Sequence, residues 1–167
     1  MAIVTKEQVI DSWGMLIENG QGKSNEIFQD TEDFIKGSKA PSLRTKKEKM
    51  APSVVGSILG TKRDFLIVRD PSLSPYQIFV GVRDYGDNLD VSWYLTYRPS
   101  FFKALLSLFR SSAFALSELD LFEQADLRAY VTVCHHSTLK AAEKLMQGLN
   151  QDPSKIDRKS KGFLGIS

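Results

Sequence analysis

Residues 77–97 read QIFVGVRDYGDNLDVSWYLTY, and this stretch decides the fold. Ile78, Val80 and Val82 alternate with Phe79, Gly81 and Arg83, and Val91, Trp93 and Leu95 alternate with Ser92, Tyr94 and Thr96. A period of two sends successive side chains to opposite faces of a strand. Between the runs stands Tyr85-Gly86-Asp87-Asn88, whose Gly and Asn tolerate the positive φ of a tight hairpin turn. The stretch predicts a β-hairpin with one face buried, and such a face needs a covering layer.

Working outward, Phe65-Leu66-Ile67-Val68 is a short apolar run of the kind buried strands show, closed by turn chemistry at Asp70-Pro71-Ser72. Beyond the hairpin, Pro99 marks a change of period and a helix is expected over 100–115. Leu127, Ala129, Val131 and Val133 alternate with Arg128, Tyr130 and Thr132, which predicts another strand. Ser137 or Thr138 then caps a closing helix with Leu139, Ala142, Met146 and Leu149 as its stripe.

Upstream, Thr5-x-x-Gln8 has the form of a capping box, and Val9, Trp13, Leu16 and Ile17 fall on one helical face. Asn19-Gly20 supplies a left-handed stop. A second helix is expected from Ser24, with Ile27, Phe28, Thr31, Phe34 and Ile35 on one side and Gly37 at its end. The reading is α+β: an antiparallel-rich sheet of about four strands (the hairpin over 77–97 plus strands near 64–69 and 127–134), with helices packed on one face and an N-terminal helical hairpin in front. Four segments follow: the helical hairpin over 1–37, a basic flexible linker over 38–52, the α+β domain over 53–150 and a basic tail over 151–167.

Composition agrees with one globular domain: 42% hydrophobic and 25% charged residues in 167 exclude wholesale disorder. A single cysteine cannot close an internal disulfide, which favours a reducing, cytoplasmic setting. The net charge of +2 is too small for a strongly basic nucleic-acid binder, yet it hides local blocks. Residues 41–50 hold Arg44, Lys46, Lys47 and Lys49 against Glu48, and the tail holds Lys155, Arg158, Lys159 and Lys161 against Asp152 and Asp157. Phe101–Leu116, FFKALLSLFRSSAFAL, is interrupted by Lys103 and Arg110 and falls short of the roughly 20 apolar residues of a span. It reads as a core helix, with a partner-facing or membrane-surface helix as the alternative.

Chemistry-bearing motifs are few. Cys134-His135-His136 gathers the only cysteine and both histidines, expected where the last strand meets the last helix. Three adjacent ligands cannot all reach one ion, and catalytic partners usually come from distant positions, so the cluster is a weak catalytic candidate and no metal or cofactor is assigned. Gly22-Lys23-Ser24 matches the end of a phosphate-binding loop, but Ile17 stands where the first glycine of that pattern is needed. Asp84, Asp87 and Asp90 read as a solvated acidic turn.

A non-catalytic protein-interaction module within a larger complex is the leading functional expectation. Its partner-binding candidates are Arg44, Lys46, Lys47 and Lys49, the aromatics Tyr94 and Tyr97, and the tail residues Arg158, Lys159, Lys161, Phe163 and Leu164. Nucleic-acid binding through the same cations, with Tyr94 stacking a base, is the second expectation, and a small Cys134-dependent enzyme the third.

Overall fold

The computed structural model describes residues 9–50, 62–97, 119–162 and 164–166. Among them, five strands form one antiparallel sheet and two α-helices pack on one of its faces. In chain order these are β1 (Val9–Ile17), α1 (Ser24–Gly37), β2 (Arg44–Met50), β3 (Arg63–Arg69), β4 (Tyr76–Tyr85), β5 (Asn88–Tyr97) and α2 (Leu121–Gly148). The sheet order is β1-β5-β4-β3-β2, which leaves β1 and β2 as the edges.

The expected hairpin is present: β4 and β5 pair from Tyr76↔Tyr97 to Tyr85↔Asn88. Gly86 turns the corner with φ +63°. The expected strand near 64–69 is β3, and α1 starts at Ser24 as its apolar spacing requires. Ile78, Val80, Val82, Leu89, Val91, Trp93 and Leu95 join Leu66 and Val68 in one layer facing the helices, all of them buried.

Three expectations are overturned. No N-terminal helical hairpin exists, because Val9–Ile17 is a strand paired with β5 from Val9↔Thr96 to Ile17↔Leu89. Its buried set is Asp11, Trp13 and Ile17, with Leu16 49% exposed on the other face. The period is two, and the helical spacing of Val9, Trp13, Leu16 and Ile17 is coincidental. The expected linker holds β2, and with β1 and β2 gained and 127–134 lost the sheet has five strands rather than four. Its charged side chains suit an edge strand, where they discourage pairing with foreign strands.

The third correction concerns 127–134, which lies inside the 28-residue helix α2. Asp120 caps it through a reciprocal box with Glu123. Leu127, Tyr130, Val131, Cys134, Thr138, Leu139, Ala142, Leu145 and Met146 are all buried, a helical stripe that outweighs the short alternation. Tyr130 fixes this helix to the sheet: its hydroxyl donates to the Val68 carbonyl (2.6 Å) and accepts from the Ile78 amide (3.1 Å). Burial pushes that phenol well above its ordinary pKa. The helix expected over 100–115 lies outside the described residues. No helix among the described residues is long and apolar enough to cross a membrane.

Candidate functional site

Cys134 and His135 are packed into the core rather than set in a cleft. Cys134 is fully buried in the middle of α2, and burial pushes its thiol far above the ordinary range, so the nucleophilic thiolate is suppressed. His135 is also fully buried, edge-on to Trp13 and Trp93 with ring centroids 5.6 Å from each. The Trp93 indole N–H donates to His135 Nδ1 at 3.0 Å, which places the ring proton on Nε2. That Nε2 faces the Arg158 carbonyl at 2.7 Å. Burial holds this imidazole below its ordinary pKa. His136 is exposed, its ring 5.7 Å from that of His135. No group of three or more His, Cys, Asp or Glu among the described residues could hold a metal ion.

The same contacts tie down the tail. Trp13 Nε1 donates to the Asp157 carbonyl (2.6 Å), and the Lys161 amide donates to the Ser12 carbonyl (2.8 Å). Ser160 Oγ bonds the buried Asp11 carboxylate (3.1 Å). A Cβ at Gly162 would overlap Asp11, so only glycine lets the tail approach this closely. Ile166 is buried and Leu164 packs against the core. Of the tail candidates, Arg158 pairs with Glu143, while Lys159 and Lys161 are exposed. Phe163 lies outside the described residues.

The acidic turn is also a structural contact. Asp84 accepts from the Gly22 amide (2.9 Å), Asn88 from the Asn19 amide (3.3 Å), and the Gln21 amide donates to the Asp87 carbonyl (3.2 Å). Gly22-Lys23-Ser24 is thus the loop leading into α1, held by the hairpin tip.

The remaining candidates divide across the sheet. Lys47 points to the helical side, bonded to Asn25 (2.8 Å) and 4.6 Å above the Phe28 ring. Tyr97 tilts against Tyr76 at 5.2 Å. Lys49 is exposed and paired in register with Asp64. Arg44, Lys46 and Tyr94 lie on the second face, opposite the helices. The register aligns Ser12, Tyr94, Phe79, Ile67 and Lys46 across all five strands there. The next row carries Gly14, Ser92, Gly81, Phe65 and Glu48, with the Phe65 ring lying over Gly81.

This second face has an apolar centre and a cationic margin. Met50, Ile67 and Phe79 are buried, and Phe65 meets Phe79 edge-on at 6.2 Å. Arg44, Lys46, Arg63 and Arg69 are exposed around them. Lys46 pairs with Glu48 (2.6 Å) and Arg83 with Asp90 (2.8 Å). Arg44, Arg63 and Arg69 pair with no carboxylate among the described residues. A groove of about 560 Å3 opens at this margin, lined by Arg44, Lys46, Arg69, Ile67, Tyr76 and Gln77 together with residues of the β3–β4 turn.

No protein family, curated protein or solved structure matches this chain. The site therefore has to be read from its own chemistry. Reasoning from sequence found Arg44, Lys46 and Tyr94 but missed Arg63, Arg69 and Gln77. A visible signal was the pair of arginines bracketing the apolar run of β3, which an antiparallel neighbour brings beside the β2 cations.

Proposed function

We propose that the chain is a non-catalytic protein-interaction module, an accessory part of a larger complex, and that it holds an acidic surface of its partner on the second face of its sheet. The observation that supports this reading is the charge of Arg44, Arg63 and Arg69, unpaired among the described residues, beside the partly exposed rings of Phe65 and Tyr94. Arginine and aromatic side chains are the types that interfaces favour. Charge at the margin steers an acidic partner, while the apolar centre supplies area that excludes water. Cys134 contributes structure here, sealed inside α2.

Calorimetric titration of a glutamate-rich peptide into the full chain tests the proposal. Binding that weakens as salt rises from about 50 to 300 mM, and that is abolished by combined Arg44→Glu, Arg63→Glu and Arg69→Glu, supports it. Salt-independent binding, or binding indifferent to the triple variant, refutes it.

Tyr94 favours a second reading. It lies on the same face as Arg44, Lys46 and Arg69, so a base could stack on it while the cations meet phosphates. A single-stranded oligonucleotide bound more tightly than the glutamate-rich peptide, with loss on Tyr94→Ala, would favour that reading over the first.

A further inference from the structure

The groove between β2, β3 and the start of β4 has a property that folding does not require. Arg44 stands directly across from Arg69 in the antiparallel register, and both side chains are exposed on the second face. Such residues lie about 4.5–5.5 Å apart at Cα, and like charges so placed oppose strand pairing. Lys46 is the next residue of β2 on that face and lines the same groove. Ile67, Tyr76 and Gln77 are buried and give it a floor.

Lys46 is held by Glu48 (2.6 Å), whereas Arg44 and Arg69 pair with no carboxylate among the described residues. Asp70 is the carboxylate in the lining, and its Oδ1 is taken by the amide (2.9 Å) and hydroxyl (2.7 Å) of Ser72. Gln77 Oε1 accepts from Arg69 Nε at 3.1 Å, which orients the guanidinium. Among the described residues this is the only side-chain bond that Arg69 makes.

We infer that this groove binds a phosphate monoester dianion carried on a phosphorylated side chain of the partner protein. One carboxylate is satisfied by a single guanidinium. A dianion with three acceptor oxygens matches the two guanidiniums, whose forks suit its geometry. Asp70, Pro71 and Ser74 bound one end of the groove, so it suits one phosphoryl group and its residue rather than a track of backbone phosphates. The inference rests on the proposed reading of the second face as a partner-binding surface and adds the chemistry that it recognises.

Fluorescence anisotropy on the full chain tests it with four labelled probes. These are an otherwise uncharged nonapeptide bearing one phosphoserine, its unphosphorylated twin, a glutamate-rich nonapeptide and a single-stranded oligonucleotide. The phosphopeptide is expected to bind at least about tenfold tighter than its twin, and Arg44→Gln and Arg69→Gln are each expected to remove about tenfold of that affinity. Arg128→Gln, exposed on α2 on the other side of the sheet, is expected to leave it unchanged. Inorganic phosphate at matched ionic strength should raise the Tm of the parent chain but not that of Arg44→Gln. Equal binding of phosphopeptide and twin, or full affinity in both groove variants, overturns the inference. If the glutamate-rich peptide binds while phosphorylation adds nothing, the groove assignment fails and the acidic-partner reading stands. If neither peptide binds, both fail. An oligonucleotide bound more tightly than the phosphopeptide transfers the site to nucleic acid and overturns the partner assigned here.

Discussion

Replacing Tyr130 by Phe removes one oxygen and tests how α2 is joined to the sheet. The hydroxyl serves two backbone groups at once, the carbonyl of Val68 on β3 and the amide of Ile78 on β4. Val68, Ile78 and Tyr130 are all buried, so water does not take over when the oxygen is lost. Leaving a buried polar group unsatisfied costs about 1–3 kcal/mol, and two such groups at the low end of that range give about 2–4 kcal/mol for Tyr130→Phe. For a chain of this size each kcal/mol moves Tm by roughly 2–4 °C, so a fall on the order of 5–15 °C is expected. Urea unfolding followed by far-UV circular dichroism reads the change directly. Thr132→Val is the control, since its hydroxyl bonds the Arg128 carbonyl within the same helix, near solvent. A loss below about 0.5 kcal/mol for Tyr130→Phe, or one no larger than that of Thr132→Val, would refute the reasoning.

Other consequences follow from the same contacts. His135 is held neutral in the fold with its pKa below the ordinary 6.5, so the unfolded chain binds a proton that the folded chain refuses. Its contribution to stability is complete above about pH 6.5 and declines as pH falls from there toward the folded value. Chemical denaturation from pH 8 to pH 5 checks this, and a His135→Gln variant should show a flatter profile over that window; an unchanged slope contradicts it. Ile166→Ala should destabilise by about 2–4 kcal/mol because that side chain is buried, whereas a solvated tail would register almost nothing in the same denaturation assay. Cys134 should react with a disulfide reagent at least about a hundredfold more slowly in the native chain than in urea, and rapid native labelling would place the thiol elsewhere than the core.

What could be read from the sequence was decided by how completely each element alternates. The β4–β5 hairpin and β3 were legible because one face of each is continuously buried and the turn residues mark their limits. In β1 the inward set includes the carboxylate of Asp11 while Leu16 faces out, and a register shift between Val9 and Asp11 breaks the alternation. A polar residue in the core and an apolar one outside disguised a strand as a helix. Edge strand β2 carries no apolar side chain before Met50, since Thr45 and Lys47 meet α1 through Glu32, Asn25 and Phe28 instead. The run Val131-Thr132-Val133 imitated a strand within α2, where burial every three to four residues sets the outcome. The candidate site was half visible. Its β2 cations stood out as a charge block, but their neighbours Arg69 and Gln77 lie far along the chain and arrive only through strand register.

Amide chemical-shift mapping of the full chain during titration with the glutamate-rich peptide tests the central claim most directly. Perturbations concentrated on Arg44–Met50, Arg63–Arg69 and the Tyr94 row of the sheet are the predicted result. Perturbations confined to α2 and the 156–166 segment, or none at all, would contradict a partner surface on the second face.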